Sequence, residues 1–295
     1  MTCETLRPKT LGVWVDDHPK RVCKPQYWEW IAGLGIDEAS VMIDTARRGW
    51  DTFWTLDECE KAGAFARAAG VRIGLIVWPD PVRSVISAME TDLIRRIEAM
   101  EAEELEDDLE WNWRTSRVTR SSLPVVPGKT PLDVAGDLLV ESRMRIKEKT
   151  GVKWAVSTFT AHTENGRSAD VAPHADRLCV QAYSVRERKR HDGSPWLIGV
   201  NHALGPKRMA DTTLSRTALV PGVLEGKIEI VCGLAAYDQR GFPGLEPDEA
   251  MEQALESALS WRDGTVRVNG VRYWSTKNIR IHSYAEEFIR RVGRS

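Results

Sequence analysis

Short apolar segments alternate with longer amphipathic segments along almost the whole chain. Eight of the short segments have the composition of buried strands, and they cover residues 11–16, 39–44, 71–78, 105–113, 153–159, 177–183, 227–237 and 270–275. Five of the longer segments have apolar residues at helical spacing, and they cover residues 27–34, 57–69, 84–104, 131–149 and 247–261. Strands that alternate with helices in this way predict a parallel sheet, because a parallel strand pair needs a long crossover connection.

The number of strands selects among the parallel-sheet folds. Eight strand–helix units match a (β/α)8 TIM barrel, and 295 residues suit a fold that typically needs about 250. A doubly wound sheet is the alternative, but no GxGxxG follows the first strand and no GxxxxGK[ST] occurs. We see no linker or internal repeat, so we predict one catalytic barrel domain over residues 1–295. Residues 186–226 interrupt the alternation and predict a long loop beside the site, with an irregular helix near 206–219.

Composition restricts the partners and the compartment. The net charge is -2 and the pI is about 6.3, which argues against a nucleic-acid binder. The N-terminal segment lacks the apolar core of a signal peptide, and no run approaches the roughly 20 apolar residues of a membrane span. The five cysteines are scattered without a CxxC, which favours a reducing compartment. We therefore expect a monomer that is made in the cytoplasm and does not insert stably into membranes.

Acidic and aromatic residues recur where the predicted strands end, which in a TIM barrel is where the active site lies. The candidate substrate contacts are Asp16, Asp44, Trp78, Gln181, Tyr183, Tyr237 and Trp274. The chain has twelve tryptophans, a residue whose ring stacks on the apolar faces of sugars, although tryptophans also fill cores. Acids beside aromatics in this density indicate a site that cleaves a glycosidic bond.

Asp108 and Glu110 form the strongest pair of candidate catalytic residues. Residues two apart on a strand point to the same side, about 6.6–6.8 Å apart, so both can face the barrel axis while Leu109 faces the helices. Glycosidases need one carboxyl group as general acid, and neighbouring carboxylates push their pKa values apart. The alternative is that the acidic run from Glu101 is a solvated helix end. That alternative suits residues 101–104 better than 105–113, where acids alternate with large apolar residues.

The same segment resembles two groups of barrel glycosidases. Glu106-x-Asp108-x-Glu110 resembles the DxDxE signature of chitinase-type glycoside hydrolases, with Glu in the first position, and Asp108-x-Glu110 resembles the DxE of barrel muramidases. Further likenesses are Gln181-Ala-Tyr183 on the sixth strand, residues 12–16 on the first strand and Tyr273-Trp274 on the eighth. The muramidases have a further Asp on strand six, where this chain has Gln181 or Ser184, so the resemblance is to the broader group.

The resemblance implies a role for each matching residue. Glu110 would be the general acid and base, and Asp108 would orient the substrate's 2-acetamido group, whose carbonyl attacks the anomeric carbon. Tyr183 would hydrogen-bond that group, Asp16 would line the floor, and Trp274 would stack under a sugar. The implied activity is hydrolysis of a polymer of N-acetylated sugars without a cofactor, with peptidoglycan favoured over chitin. A likeness to phage endolysins implies release from the cytoplasm through a holin.

Other functions remain open at this stage. A metal-dependent barrel hydrolase or lyase could use Asp16, Asp44, Asp108 and Glu110 as oxygen ligands, although the six histidines form no close metal pair and we predict no metal site. A chitinase-like hydrolase, another polysaccharide hydrolase and a non-catalytic carbohydrate-binding barrel are the remaining alternatives. The basic run 186–191 is typical of a solvated loop, or of a rim that meets an anionic polymer.

Overall fold

The computed structural model describes residues 7–43, 54–79, 81, 83–109, 113, 123–158, 171–183, 185–189, 195–198, 205–237 and 245–294. Within these ranges, eight parallel strands close into a barrel. They are β1 (Leu11–Val15), β2 (Glu38–Met42), β3 (Arg72–Val77), β4 (Glu104–Asp108), β5 (Lys153–Thr158), β6 (Arg177–Gln181), β9 (Glu229–Ala235) and β12 (Gly270–Trp274). Each strand pairs with its neighbour along the chain, and β12 closes the barrel against β1. The predicted TIM-type barrel is confirmed.

The helices surround the barrel. They are α1 (Pro19–Val22), α2 (Pro25–Gly33), α3 (Leu56–Ala68), α4 (Arg83–Met100), α5 (Pro131–Thr150), α6 (Gly205–Thr217), α7 (Pro247–Ser260), α8 (Thr276–Ile281) and α9 (Ser283–Arg294). Local sequence explains several of their ends. Proline occupies the first turn of α1, α2, α5 and α7, where a missing N–H costs nothing. Thr55 and Thr130 begin α3 and α5 with capping boxes, and Gly151 ends α5 in the left-handed conformation.

Side chains alternate between the two faces of each barrel strand. Outward residues such as Val13, Val41 and Leu105 belong to the large apolar core between strands and helices. Inward residues fill the barrel, and glycines make room there for large side chains. A Cβ on Gly233 would lie 2.6 Å from the ring of Trp14, so the indole can cross the barrel axis only because β9 has no side chain at that position.

The structure corrects some predicted boundaries. The helix predicted over 84–104 ends at Met100, because Glu101 has a positive φ of 51° and β4 begins at Glu104. The fourth strand ends at Asp108, and Leu109 after it is no longer strand; residues 110–112 of the predicted strand lie outside the described residues. The predicted loop over 186–226 contains the hairpin β7 (Val185–Lys189) and β8 (Pro195–Ile198), and α6 confirms the helix expected there. A second small hairpin joins β10 (Arg262–Asp263) and β11 (Val266–Arg267).

In the part of the chain that is described, every helix is too short or too polar to cross a bilayer. The single domain over residues 1–295 and the monomeric state stay predictions.

Candidate active site at the carboxyl end of the barrel

Strand β4 divides its acidic residues between its two faces. Glu104, Glu106 and Asp108 point into the barrel, whereas Asp107 points outward and Leu109, just after the strand, joins the outer core. Asp107 accepts two hydrogen bonds from Arg143 of α5, at 2.7 and 2.8 Å, and one from the indole of Trp154 at 2.9 Å. The predicted inward orientation of Asp108 is correct. Glu110, the predicted general acid, lies outside the described residues.

Asp108 is buried inside the barrel at the carboxyl end of β4, with 2% of its surface exposed. Its Oδ1 lies 3.3 Å from Nε2 of Gln181 and 3.5 Å from Oγ of Ser157, which are the inward residues of the next two strands. The structure therefore brings together two predicted site residues, Asp108 and Gln181. The other side of the Gln181 amide, Oε1, is buried without a hydrogen-bond partner among the described residues. A buried acceptor in this state favours a ligand that donates an N–H or O–H.

Aromatic side chains line the same end of the barrel. The rings of Tyr183 and Tyr237 meet edge to face at 6.3 Å, and both belong to an apolar cluster inside the barrel. Trp274 contacts the edge of Trp14 at 5.8 Å and is partly exposed, as is Trp78 after β3. These four predicted residues, Trp78, Tyr183, Tyr237 and Trp274, thus lie at the strand ends, and the two tryptophans are the partly exposed ones.

The first strand ends in two buried acids with different contacts. Oδ1 of Asp16 accepts the backbone N–H of Lys277 at 3.2 Å, in the first turn of α8. Asp17 accepts the hydroxyl of Tyr27 at 2.9 Å and pairs with Arg280. Asp16 therefore joins the ends of β1 and β12 at the edge of the candidate site. Asp44 lies outside the described residues.

A network of buried ion pairs fills the amino-terminal half of the barrel interior. Arg177 Nη1 lies 2.7 Å from Glu104 and 3.2 Å from Glu38, and Arg272 Nη2 lies 2.8 Å from Glu38 and 3.0 Å from Glu104. Arg272 also pairs with Glu106, which accepts the indole N–H of Trp14 at 2.9 Å. Two guanidiniums are thus shared among three carboxylates within the barrel.

The network changes the proton affinities of its members. Burial opposes ionisation of Glu38, but Arg272 and Arg177 outweigh it and lower its pKa to about 2. Burial dominates at Glu106 and, with the neighbouring charge of Glu104, raises its pKa despite the pairing with Arg272. The first carboxylate of the ExDxE segment is therefore a structural group that lies below the candidate site.

The described residues contain one group of potential metal ligands, formed by Glu104, Glu106 and Cys179 with their ligand atoms within 4.8 Å. Arg272 pairs with both glutamates, and its Nη1 lies 3.6 Å from Sγ of Cys179. The guanidinium thus supplies the positive charge that a cation would bring. This arrangement does not fit a metal centre.

Sequence reasoning missed this network. Arg177 and Arg272 are inward residues of buried strands. The alternation of side chains along each strand places them on the same inward face as the acids of other strands, and this pattern could have revealed the network. The alternative reading of residues 101–104 as a solvated helix end is wrong for Glu104, which is 5% exposed and paired with both arginines.

Comparisons with known proteins show the fold. Neither a protein-family model nor a curated protein sequence matches this chain. Among solved structures, a fungal β-1,4-galactanase matches with a TM-score of 0.61 and 10% identity, over 98% of this chain and 100% of that one. The β-mannanase of the blue mussel Mytilus edulis has a TM-score of 0.55 and 11% identity, over 97% and 92% of the two chains.

The spore cortex-lytic enzyme SleL of Bacillus cereus has a TM-score of 0.54 and 10% identity, over 97% of this chain and 74% of that one. A sugar phosphate isomerase/epimerase and a tryptophan synthase have similar folds too. The similar structures therefore include glycoside hydrolases built on a (β/α)8 barrel, and the barrel by itself does not choose among these chemistries.

Proposed function

We propose that this protein is a glycoside hydrolase that cleaves a polymer of N-acetylated sugars, with Glu110 as general acid and Asp108 as its assistant. The observation that carries the proposal is the arrangement around Asp108. A buried carboxylate, an amide with an open acceptor on Gln181 and a partly exposed Trp274 belong to the carboxyl end of one barrel. This end is where TIM-barrel enzymes hold their substrates.

Each group has a role in a substrate-assisted mechanism. Trp274 and Trp78 stack against sugar rings and hold the chain across the strand ends. Asp108 accepts the N–H of the substrate's 2-acetamido group, and the acetamido carbonyl oxygen then attacks the anomeric carbon. Glu110 protonates the leaving glycosidic oxygen and afterwards takes a proton from the incoming water. This route is a recognised exception to the scheme with two catalytic carboxylates, and it retains the anomeric configuration.

Peptidoglycan is the substrate that we propose among such polymers. The support is the Asp108-x-Glu110 segment, which resembles that of the barrel muramidases. The similar solved structures add that one cortex-lytic enzyme and two other glycan hydrolases use this scaffold. A chitin-like polymer is the competing substrate, and the comparison of the two belongs to the first experiment.

The experiment measures release of reducing ends from purified peptidoglycan and from chitin oligosaccharides, each with and without EDTA. Wild type is compared with Glu110→Gln and with Glu103→Gln, a matched control in which an exposed acid of the same segment loses its charge. A general acid contributes a factor of about 10² to 10⁴, so Glu110→Gln should lose at least 99% of the rate while the control keeps it.

The outcomes separate the alternatives. Equal rates for wild type and Glu110→Gln would remove Glu110 from the mechanism. Activity that EDTA abolishes would favour a metal-dependent hydrolase, and an inverted anomeric product would exclude the substrate-assisted route. Binding of glycans without any turnover would leave a carbohydrate-binding barrel.

A further inference from the structure

A basic cavity of about 540 Å³ lies beside the ends of the first and last barrel strands. Its volume is in the range of small-ligand sites, roughly 300–1,000 Å³. The lining residues come from the segment after β1 and from α8, and they are Asp16, Asp17, His18, Lys20, Arg21, Lys24, Lys277 and Arg280. Five of these side chains are lysine or arginine and two are aspartate, in a chain whose net charge is -2.

The two aspartates neutralise only part of this positive charge. Asp17 pairs with Arg280, and Arg21 lies 3.6 Å from the same carboxylate. Asp16 directs one oxygen to the backbone N–H of Lys277 and not to its ammonium group. Among the described residues, Lys20, Lys24 and Lys277 have exposed side chains that form no ion pair. These three lysines therefore give the cavity an excess of positive charge.

The cavity adjoins the candidate site. Asp16 lines the cavity and follows β1 directly, two residues beyond Trp14, whose ring contacts Trp274. Lys277 stands three residues after Trp274, in the first turn of α8. Strands β1 and β12 are hydrogen-bonded neighbours, so their ends and the cavity between them lie on one edge of the barrel. A glycan stacked on Trp274 would therefore lie at the same edge of the barrel as the cavity.

We infer that this cavity binds the carboxylate of an acid-bearing glycan and that Lys20, Lys24 and Lys277 determine a preference for anionic over neutral sugar chains. The inference rests on the proposed function, because it assumes that a glycan occupies Trp274. A lactyl ether on an amino sugar supplies this carboxylate where no peptide is attached to it, and a uronic acid supplies it as well. The favoured ligand is a polymer with N-acetylated sugars in which alternate residues carry the acid.

The test measures binding, so that it can be read without turnover. Titration calorimetry on the Glu110→Gln chain compares a GlcNAc–MurNAc disaccharide with the same disaccharide whose lactyl carboxylate is amidated, and a hyaluronan tetrasaccharide provides the uronate arm. Each ligand is titrated against Glu110→Gln alone, against Glu110→Gln with Lys20→Gln, Lys24→Gln and Lys277→Gln, and against a matched control. The control combines Glu110→Gln with Lys9→Gln, Lys149→Gln and Lys227→Gln, which remove the same charge from exposed positions at the opposite end of the barrel.

We expect the acid to bind roughly three- to tenfold more tightly than its amide, a preference that three exposed pairs can supply. The preference should disappear when the cavity lysines are replaced, persist in the control and weaken at high salt, where the screening length falls to about 3 Å at 1 M. Preference for the lactyl over the uronate ligand identifies the source of the carboxylate. Equal affinity for acid and amide, an equal loss in both triple-lysine sets, or no binding of either ligand would overturn the inference. Failure of the proposed function is read separately, from the rate on peptidoglycan.

Discussion

The two halves of the barrel interior use carboxylates in opposite ways. In the amino-terminal half, Glu38, Glu104 and Glu106 pair with Arg177 and Arg272. In the carboxyl-terminal half, the contacts of Asp108 are the amide of Gln181 and the hydroxyl of Ser157, together with partners beyond these two. Both halves are buried and both are acidic. The difference is that guanidinium groups pair with the acids of the first half, whereas an amide and a hydroxyl group contact Asp108 in the second.

This difference indicates how structural acids can be distinguished from candidate catalytic acids on the same barrel strand. Glu104, Glu106 and Asp108 share one face of β4, yet the first two pair with arginine inside the barrel and the third lies at its carboxyl end. The position of an acid along the strand and the identity of its partner indicate whether it is structural or a catalytic candidate, whereas the number of acids in the segment does not.

The largest expected effect tests the structural half. Arg272→Met removes the shared partner of three buried carboxylates, and loss of one partner of a buried pair typically costs about 3–5 kcal/mol. We expect the free energy of unfolding in urea to fall by at least that amount. Adding Glu106→Gln should recover part of the loss, because one uncompensated charge is removed. If the double variant is less stable than Arg272→Met alone, the charge of Glu106 is not one that Arg272 compensates.

The second expected effect is a pH dependence that belongs to the same half. Glu38 has a pKa of about 2 in the folded chain against an ordinary value of 4.5, and one pKa unit corresponds to about 1.4 kcal/mol. Because the folded pKa is lowered, its contribution of about 3 kcal/mol is present above pH 5 and is lost as the pH falls from 4.5 towards 2.

Unfolding of wild type and Glu38→Gln should therefore differ most near pH 6 and converge near pH 2. The raised pKa of Glu106 has the opposite sign, since protonation of Glu106 relieves the cost of burying its charge. The comparison of wild type with Glu38→Gln isolates the contribution of Glu38, because Glu106 is present in both chains. A difference that stays constant from pH 6 to pH 2 would contradict the assignment.

The third prediction concerns the functional half. Asp108→Asn keeps the size of the side chain and an oxygen that can accept from Gln181, so the stability should change by less than about 1 kcal/mol. The rate on an N-acetylated glycan should fall roughly 10²-fold, as for the loss of one preorganised electrostatic group. Parallel assays of kcat and of urea unfolding check both parts. A large loss of stability with little loss of rate would place Asp108 with the structural acids.

The smallest expected effect tests the aromatic surface. Trp274→Ala should raise KM for a glycan roughly tenfold by removing a stacking ring, and Trp274→Phe should recover part of the affinity. Initial-rate kinetics on both variants provide the measurement, and kcat should change less than KM. Trp274→Ala with an unchanged KM would remove this ring from the binding surface.

The barrel could be predicted from the sequence, but only part of the candidate site could. Strands such as residues 11–15 and 153–158 were predictable because apolar β-branched runs and glycine or proline boundaries are local signals. Asp108 was predictable because the period of two on a strand settles which face it shares. The partnership of Arg272 with Glu104 was not, since it joins residues 168 positions apart and depends on the closure of the barrel. The end of β4 at Asp108 was not predicted either, because acidic and apolar residues continue to alternate after it in the sequence.

Trp14 forms a boundary between the two halves. Its indole N–H reaches down to Glu106, its ring lies 5.6 Å from the guanidinium carbon of Arg272, and its edge meets Trp274 above. Residues below this boundary maintain the fold, and residues above it belong to the candidate site. Under the proposed function, we expect substitutions above the indole to change substrate preference while the ion network below keeps the barrel closed, so the upper residues are the ones to vary in a library designed for new specificities.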